Sequence, residues 1–504
     1  MSSSSKPFAP GLLSSFWTIA VLLTAIRLGA LMASPSTLGP DESQYWFWSQ
    51  ELAFGYFSKP PMIAWVIAAT TSIFGNAEWA VRLSAPFFHL GVGAFLYLTA
   101  QRLFNQRAAY WSGLAWLTIP GVTLSSFLMT TDAPLLFFWS AGLFFLFRIT
   151  EKDNPQRFDF VALGAAIGLG FLSKYAMIYF IIALGGTVLF IPSFRLALLR
   201  KEMLLTAVIA LALILPNILW NAANDFQTLS HTAANANWGA TLFKPAALLK
   251  FIAGQFAVIG PVFVVAFIWA AIHHRRNLHT LNPQLSKIHA LFLFALTPLL
   301  IVSIQAFISR AHANWAATAY PAVILLVIAW LYEHKSGWIA KTGIAINAVF
   351  AALFIIIVST EFSVVDRSGL SIMTRDIRGW KEQSHAVASM ADGYDAVMID
   401  DRDLMGAMLY YERGSNLKIV AIDPNASISH HYEAFMAFDP KIQSRMLFVT
   451  TRDDAAHVDY RFRHITPLGP VTVSLGSGQK RTYHLFDVSG YFGPGAPERG
   501  NNPS

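Results

Sequence analysis

Cysteine is missing from all 504 residues. Disulfide staples, thiolate metal sites and cysteine nucleophiles are thereby excluded. Charge is scarce as well. Asp, Glu, Lys and Arg make up 13% of the chain, against roughly 25% in a soluble domain. The net charge is +7, yet no compact basic stripe or basic helix stands in the chain, so nucleic acid is not the partner. Neither a glycine-rich phosphate loop nor a Ser–His–Asp order is present. What fills the chain is apolar: 55% hydrophobic, 14% aromatic, mean hydropathy +0.48. That composition makes the lipid bilayer the protein's solvent.

A helix needs about 20 apolar residues to cross a bilayer. Eleven runs meet or approach that length: 12–34, 83–103, 108–125, 133–149, 159–173, 175–192, 203–220, 248–272, 288–308, 315–333 and 338–360. Region 61–75 is apolar but short, and reads as a helix lying at the interface. The start, Met1–Pro10, is polar and serine-rich. The run after it is longer than a signal-peptide core of about 7–15 residues, so it reads as a retained first span.

Cations orient the bundle. With the N-terminus in the cytoplasm, Arg102, Arg107, Arg148, Lys152, Arg157, Arg195, Arg200, Lys201, Arg275, Arg276, Lys287, Lys335 and Lys341 all fall on the cytoplasmic side. The periplasmic side receives loops 35–82, 126–132, 221–247 and 309–314, and the tail from 361. That tail changes texture. Runs 396–400, 417–422, 446–450, 471–474 and 482–486 read as strands, and 403–412 as a helix between the first two. The expected fold is therefore an all-α polytopic membrane domain over 1–360 and a small periplasmic α/β domain over 361–490. A Gly/Pro/Asn-rich segment, 491–504, is expected to be disordered.

Loop 35–82 holds the densest chemistry. It reads Gly39-Pro-Asp-Glu-Ser-Gln-Tyr-Trp-Phe-Trp-Ser49, then Gly55-Tyr-Phe-Ser-Lys-Pro-Pro61. Acids directly after a span are either solvated or used. Asp41 also suits a helix N-cap, and the aromatic run suits an interfacial belt. A second acid, Asp132, lies in Thr130-Thr-Asp-Ala-Pro134, again a capping signature. The functional alternative is that Asp132 converges with Asp41 on an acceptor or a bound cation.

Cations on this cation-poor face also need a reason. They are Lys59, Lys174 between the fifth and sixth runs, and Arg310 and His312 in Ser309-Arg-Ala-His-Ala-Asn-Trp315. Snorkelling to headgroups is one reason, and pairing with a lipid phosphate is the other. Lys174, pressed between two apolar runs, fits snorkelling least. His89 reads as a satisfied buried histidine, and His430-His431 has no partner at zinc-ligand spacing. Acids facing the periplasm disfavour a nucleotide-sugar donor, which is not supplied there.

Asp41 to Ser49, Gly55 to Pro61, Thr131 to Pro134, Phe171 to Lys174 and His312 to Trp315 together resemble motifs of bacterial GT-C glycosyltransferases. These form the protein-mannosyltransferase-like superfamily, which includes the aminoarabinose transferases of lipid A. Within it the chain resembles rhizobial galacturonosyltransferases acting on lipopolysaccharide core and lipid A. The resemblance covers about residues 10–360. It implies a GT-C fold in the bacterial inner membrane and a sugar donor on a polyprenyl phosphate. It also implies a lipopolysaccharide or lipid A acceptor and inversion at the anomeric carbon.

Carried onto this chain, the resemblance makes Asp41 the general base, with Glu42 and Asp132 in the same catalytic group. Lys59, Lys174, Arg310 and His312 would hold the donor phosphate. Tyr45, Trp46, Tyr56, Asn314 and Trp315 would line the substrates. One position departs: aminoarabinose transferases carry an acid before the Lys-Pro-Pro lysine, and here Ser58 stands there. No metal is carried over to that position, and Asp41, Glu42 and Asp132 remain candidate ligands for a divalent cation. Two other readings compete. Protein O-mannosyl transfer uses the same chemistry on Ser or Thr. A flippase of lipid-linked sugars would place its charges near the membrane midplane, whereas these cluster at one rim.

Overall fold

A computed structural model of the chain describes residues 11–151, 154–235, 243–274, 283–367, 374–423, 428–441 and 444–493. Lys152, Arg275, Arg276, the polar start 1–10 and the tail from 494 lie outside the described residues, as does 236–242 of the loop 221–247.

Every one of the eleven apolar runs falls on helix, but not on eleven straight spans. Among the described residues seven helices are long and apolar enough to cross a bilayer, and nine if each of two bent pairs is one span. The run expected as one helix over 248–272 is bent by 112° between Pro245–Ile259 and Pro261–His274. Gly260, at φ 94°, supplies the left-handed turn and Pro261 opens the second piece. The run 175–192 passes into Pro192–Leu198 at 116°. The run 108–125 splits at Ile119, before Pro120, into Gln106–Thr118 and Pro120–Ser125. Arg27, buried in the first span, answers that split. Its guanidinium donates to the Leu117 carbonyl at the end of the broken helix and to Thr123 Oγ1 at 3.3 Å.

Large rings fill the bundle. Trp116, Trp139, Phe147, Phe160 and Phe180 are fully buried in one cluster. Small residues bring helices together elsewhere. A Cβ on Gly164 would lie 2.5 Å from the Thr206 carbonyl oxygen, so helix Arg157–Ser173 packs backbone to backbone on Met203–Ala223.

The C-terminal part is a five-stranded sheet in the order β2-β1-β3-β5-β4. β1 (Ala396–Ile399) pairs in parallel with β2 (Ile419–Ala421) and β3 (Arg445–Thr450). β4 (Phe462–Gly476) and β5 (Gln479–Tyr491) form an antiparallel hairpin, and β5 joins β3. Ser477 and Gly478 both have positive φ, as a two-residue type I′ turn requires. These last two strands run far beyond the expected 471–474 and 482–486. β4 is an edge strand carrying Pro467 and Pro470 and exposing most of its side chains, so its apolar signal is weak.

The sheet docks onto loop 35–82 through two helices, Pro40–Ser49 and Arg402–Tyr411. Gly406 admits the close approach, since a Cβ there would lie 3.2 Å from Ser43 Cβ. Trp46 meets Tyr410 edge to face at 4.8 Å, and the Leu38 N–H donates to the Tyr411 hydroxyl at 2.8 Å.

Candidate active site

Gly39 and Pro40 start the helix Pro40–Ser49, with proline at the first turn where its missing N–H costs nothing. Gly39, not Asp41, occupies the cap position. Asp41 and Glu42 follow in the first turn, where the helix dipole favours negative charge. Neighbouring helical residues point about 100° apart, so the two carboxylates part company at once.

Glu42 turns inward. Its Oε1 accepts from Arg82 Nε at 2.8 Å and from the Met129 N–H at 2.9 Å. Its Oε2 accepts from Arg82 Nη2 at 2.6 Å and from the Gly39 N–H at 3.0 Å. Arg82 is completed by Ser36 Oγ and the Thr37 carbonyl. This pair is buried and saturated, and it braces the loop rather than facing a substrate. The expectation that Glu42 shares the catalytic group with Asp41 is therefore corrected.

Asp41 faces a cavity of about 740 Å³. Tyr45, one turn further along the same helix face, lines it too. So do Lys59, Asp132, Lys174, His312, Asn314 and Trp315, which arrive from separate stretches of the chain. Isoleucines 178, 301, 304 and 308 form an apolar wall beside this polar group.

Asp132 opens its helix and is held from both sides. Lys174 Nζ donates to its Oδ1 at 2.7 Å and Asn314 Nδ2 to its Oδ2 at 3.0 Å. Lys59 differs from Lys174: among the described residues no carboxylate pairs with it. Burial, and then repulsion from Lys174, lowers its pKa. Burial, reinforced by Asp41, raises the pKa of Tyr45 well above the usual phenol range, so Tyr45 offers a neutral O–H to the cavity.

The loop carrying Lys59 is pinned from below. Asn217 Nδ2 donates to the Phe54 carbonyl at 2.6 Å, and Thr228 Oγ1 to the Tyr56 carbonyl at 2.6 Å. Gly55 lies flat on Trp220, where a Cβ would come within 2.3 Å of the ring.

Three more expected residues do not reach the cavity. The Trp46 ring packs on Tyr410 and donates through Nε1 to Asn76 Oδ1 at 2.8 Å. Tyr56 stacks on Trp48 at 4.8 Å and donates to the Trp48 and Glu51 carbonyls. Both are buried, so these rings make a loop core instead of a substrate lining or a lipid-facing belt. Arg310 is exposed outside the cavity. The candidate cation set Asp41, Glu42 and Asp132 does not assemble, because Glu42 is spent on Arg82. Among the described residues no three His, Asp or Glu side chains stand together as metal ligands.

One residue was not anticipated. Arg402, from the C-terminal sheet region, donates through Nη2 to Asp41 Oδ1 at 2.7 Å and through Nη1 to Gln44 Oε1 at 3.1 Å. Burial works against its charge, but Asp41, helped by Asp403 and Tyr432, raises its pKa. No local signal links two positions that lie 361 residues apart.

Chemically the cavity offers a carboxylate at the rim, an unpaired cation, a fixed Asp132–Lys174 pair and an apolar wall. A family profile described as dolichyl-phosphate-mannose-protein mannosyltransferase matches residues 58–220. The chain is 33% identical to the lipid A galacturonosyltransferase RgtD of Rhizobium johnstonii, over 81% of this chain and 85% of that protein. It is 27% identical to the lipopolysaccharide core galacturonosyltransferase RgtA of the same organism, over 51% and 49% of the two chains. In fold it is similar to ArnT from Cupriavidus metallidurans, in a crystal structure bound to undecaprenyl phosphate. The TM-score is 0.62 at 16% identity, covering 94% of this chain and 97% of that one.

Proposed function

This chain belongs to the GT-C glycosyltransferases of the protein-mannosyltransferase-like superfamily, and it is an enzyme that takes sugar from a polyprenyl-phosphate carrier; from that premise we propose that it transfers galacturonic acid to lipid A or the lipopolysaccharide core. The observation that carries the reading is the meeting of Asp41, Lys59, Asp132 and Lys174 in one cavity walled on a side by isoleucines. An ionic floor suits a phosphate and a sugar, and an apolar wall suits an isoprenoid chain. The identity to RgtD over most of the chain favours a glycolipid acceptor over a protein hydroxyl.

In this mechanism Asp41 takes the proton of the acceptor hydroxyl. The acceptor oxygen bonds to the anomeric carbon from the face opposite the carrier. The bond from that carbon to the phosphate oxygen breaks, and the polyprenyl phosphate leaves with the electron pair. Lys59, paired with no carboxylate among the described residues, is placed to meet that charge, with Lys174 and His312 at the same cavity. Asn314 and Lys174 hold Asp132 still, and Tyr45 and Trp315 line the path of the substrates.

We place the site at the periplasmic face of the bacterial inner membrane, with the N-terminus cytoplasmic. On this placement residues 1–360 form the catalytic membrane domain and 361–490 a periplasmic α/β domain. The support is the cation distribution along the chain. A reporter fused after residue 370 should read out as periplasmic, and a cytoplasmic signal overturns the placement. Mass spectrometry of lipid A and core from a deletion strain tests the substrates. A hexuronic acid should be lost and should return with the intact gene but not with Asp41→Asn; an unchanged glycolipid profile rules the assignment out.

A further inference from the structure

Arg402 sits in an odd place for a cation. It is the first residue of the helix Arg402–Tyr411, whose cap is Asp401, with its side chain accepting from the Leu404 N–H at 2.9 Å. The positive end of a helix dipole disfavours an arginine there, so helix stability does not account for it. Nor does docking of the sheet. The buried contacts of Tyr410, Tyr411 and Gly406 already join the two helices. The Asp41–Arg402 pair lies at the rim of that joint, with side chains 61% and 36% exposed. An exposed ion pair contributes only about 0–1 kcal/mol, so it is cheap to open.

The charge balance of transfer weakens it further. In the resting arrangement Arg402 meets Asp41 through Nη2 at 2.7 Å and Asp403 through Nε at 3.3 Å. Once Asp41 accepts the acceptor's proton it is uncharged, and Arg402 keeps only the longer contact of its Nε with Asp403 Oδ1 at 3.3 Å. Gln44, buried beneath, still holds Nη1 and keeps the guanidinium at the rim. A guanidinium fork presented in this way matches the paired oxygens of a carboxylate or phosphate. We propose that Arg402 is a specificity-determining residue that exchanges Asp41 for an anionic group on the substrate, so that a charged substrate frees the base as it binds. The proposal rests on the reading of Asp41 as the base. The shared chemistry is an oxyanion, carried by either a uronic acid donor or a phosphorylated acceptor.

The test uses full-length enzyme in proteoliposomes, as wild type, Arg402→Gln and Arg402→Lys. One arm compares a polyprenyl-phosphate uronic acid with its neutral hexose counterpart. The other compares phosphorylated with dephosphorylated lipid A. Arg402→Gln should raise KM about tenfold or more for the charged member of one arm and less than twofold for its neutral member. The arm that responds names the source of the anion. Arg402→Lys should recover part of the loss, because charge returns without the fork. Equal KM changes for charged and neutral members, or none in either arm, overturn the proposal and leave a surface ion pair. Asp41→Asn separates the two readings. Lost turnover in that variant with no KM split in Arg402→Gln defeats only the exchange. Retained turnover with a clear KM split defeats the base, and with it the freeing of a base, and leaves Arg402 as an anion-recognising residue alone.

Discussion

Two carboxylates adjacent in sequence meet two arginines on different faces of one short helix. Beneath the helix, Glu42 and Arg82 are almost wholly buried, and every oxygen of the acid has a donor. At its rim, Asp41 and Arg402 share one contact at 2.7 Å and stay open to solvent. The first arrangement cannot change partner without stranding a charge in a dry interior. The second can change partner at almost no cost. Identical chemistry thus serves as a brace in one region and as a replaceable contact in the other, and burial alone decides which.

The sharpest way to break this contrast is at the rim. Asp41→Asn should leave the fold within about 1 kcal/mol of wild type while lowering turnover about 10²–10⁴-fold. Initial-rate measurements beside thermal size-exclusion profiles check both halves; a variant that keeps most of its turnover would end the comparison. Next comes the floor. Glu42→Gln keeps the volume but leaves Arg82 buried without a counter-charge, so stability should fall by about 3–5 kcal/mol. Poor yield and a lower unfolding midpoint are the expected readout, and a midpoint like that of wild type would show that the pair is not a brace.

The smallest effect concerns Lys59, a cavity cation with no carboxylate paired to it among the described residues. Its pKa is lowered, so as pH rises it loses its charge earlier than an ordinary lysine. Donor kcat/KM, which reports the free enzyme, should decline on the alkaline side below the usual lysine range. Lys59→Arg should remove that decline. A pH profile identical in the two proteins would take Lys59 out of the donor site.

Much of this was legible in the sequence, for reasons that can be named. Asp132, Lys174 and Asn314 stand at the ends of apolar runs, where a polar side chain needs a reason, and the structure joins them by direct hydrogen bonds. The strands at 396–399, 419–421 and 445–450 were legible as short apolar runs because they are buried on both faces. Glu42 was misread because adjacency along the chain is not adjacency on a helix. Trp46 and Tyr56 were misread because an aromatic run between spans looks alike whether it faces lipid or packs inward. Gly260-Pro261 was a visible break inside an apolar run whose length hid it. Arg402 was beyond reach, since only the docking of two distant helices brings it to Asp41.

Gly55 carries a consequence of its own. With the backbone resting on the face of Trp220, the stretch leading to Lys59 has a seat as well as its tethers to Asn217 and Thr228. Trp220 belongs to the long apolar helix Met203–Ala223, so the whereabouts of an ammonium group depend in part on a ring on a different segment of the chain. Shaving that ring would leave every ionic side chain intact and still blur the position of one of them. Affinity for the lipid donor can therefore drift through mutations that never meet it.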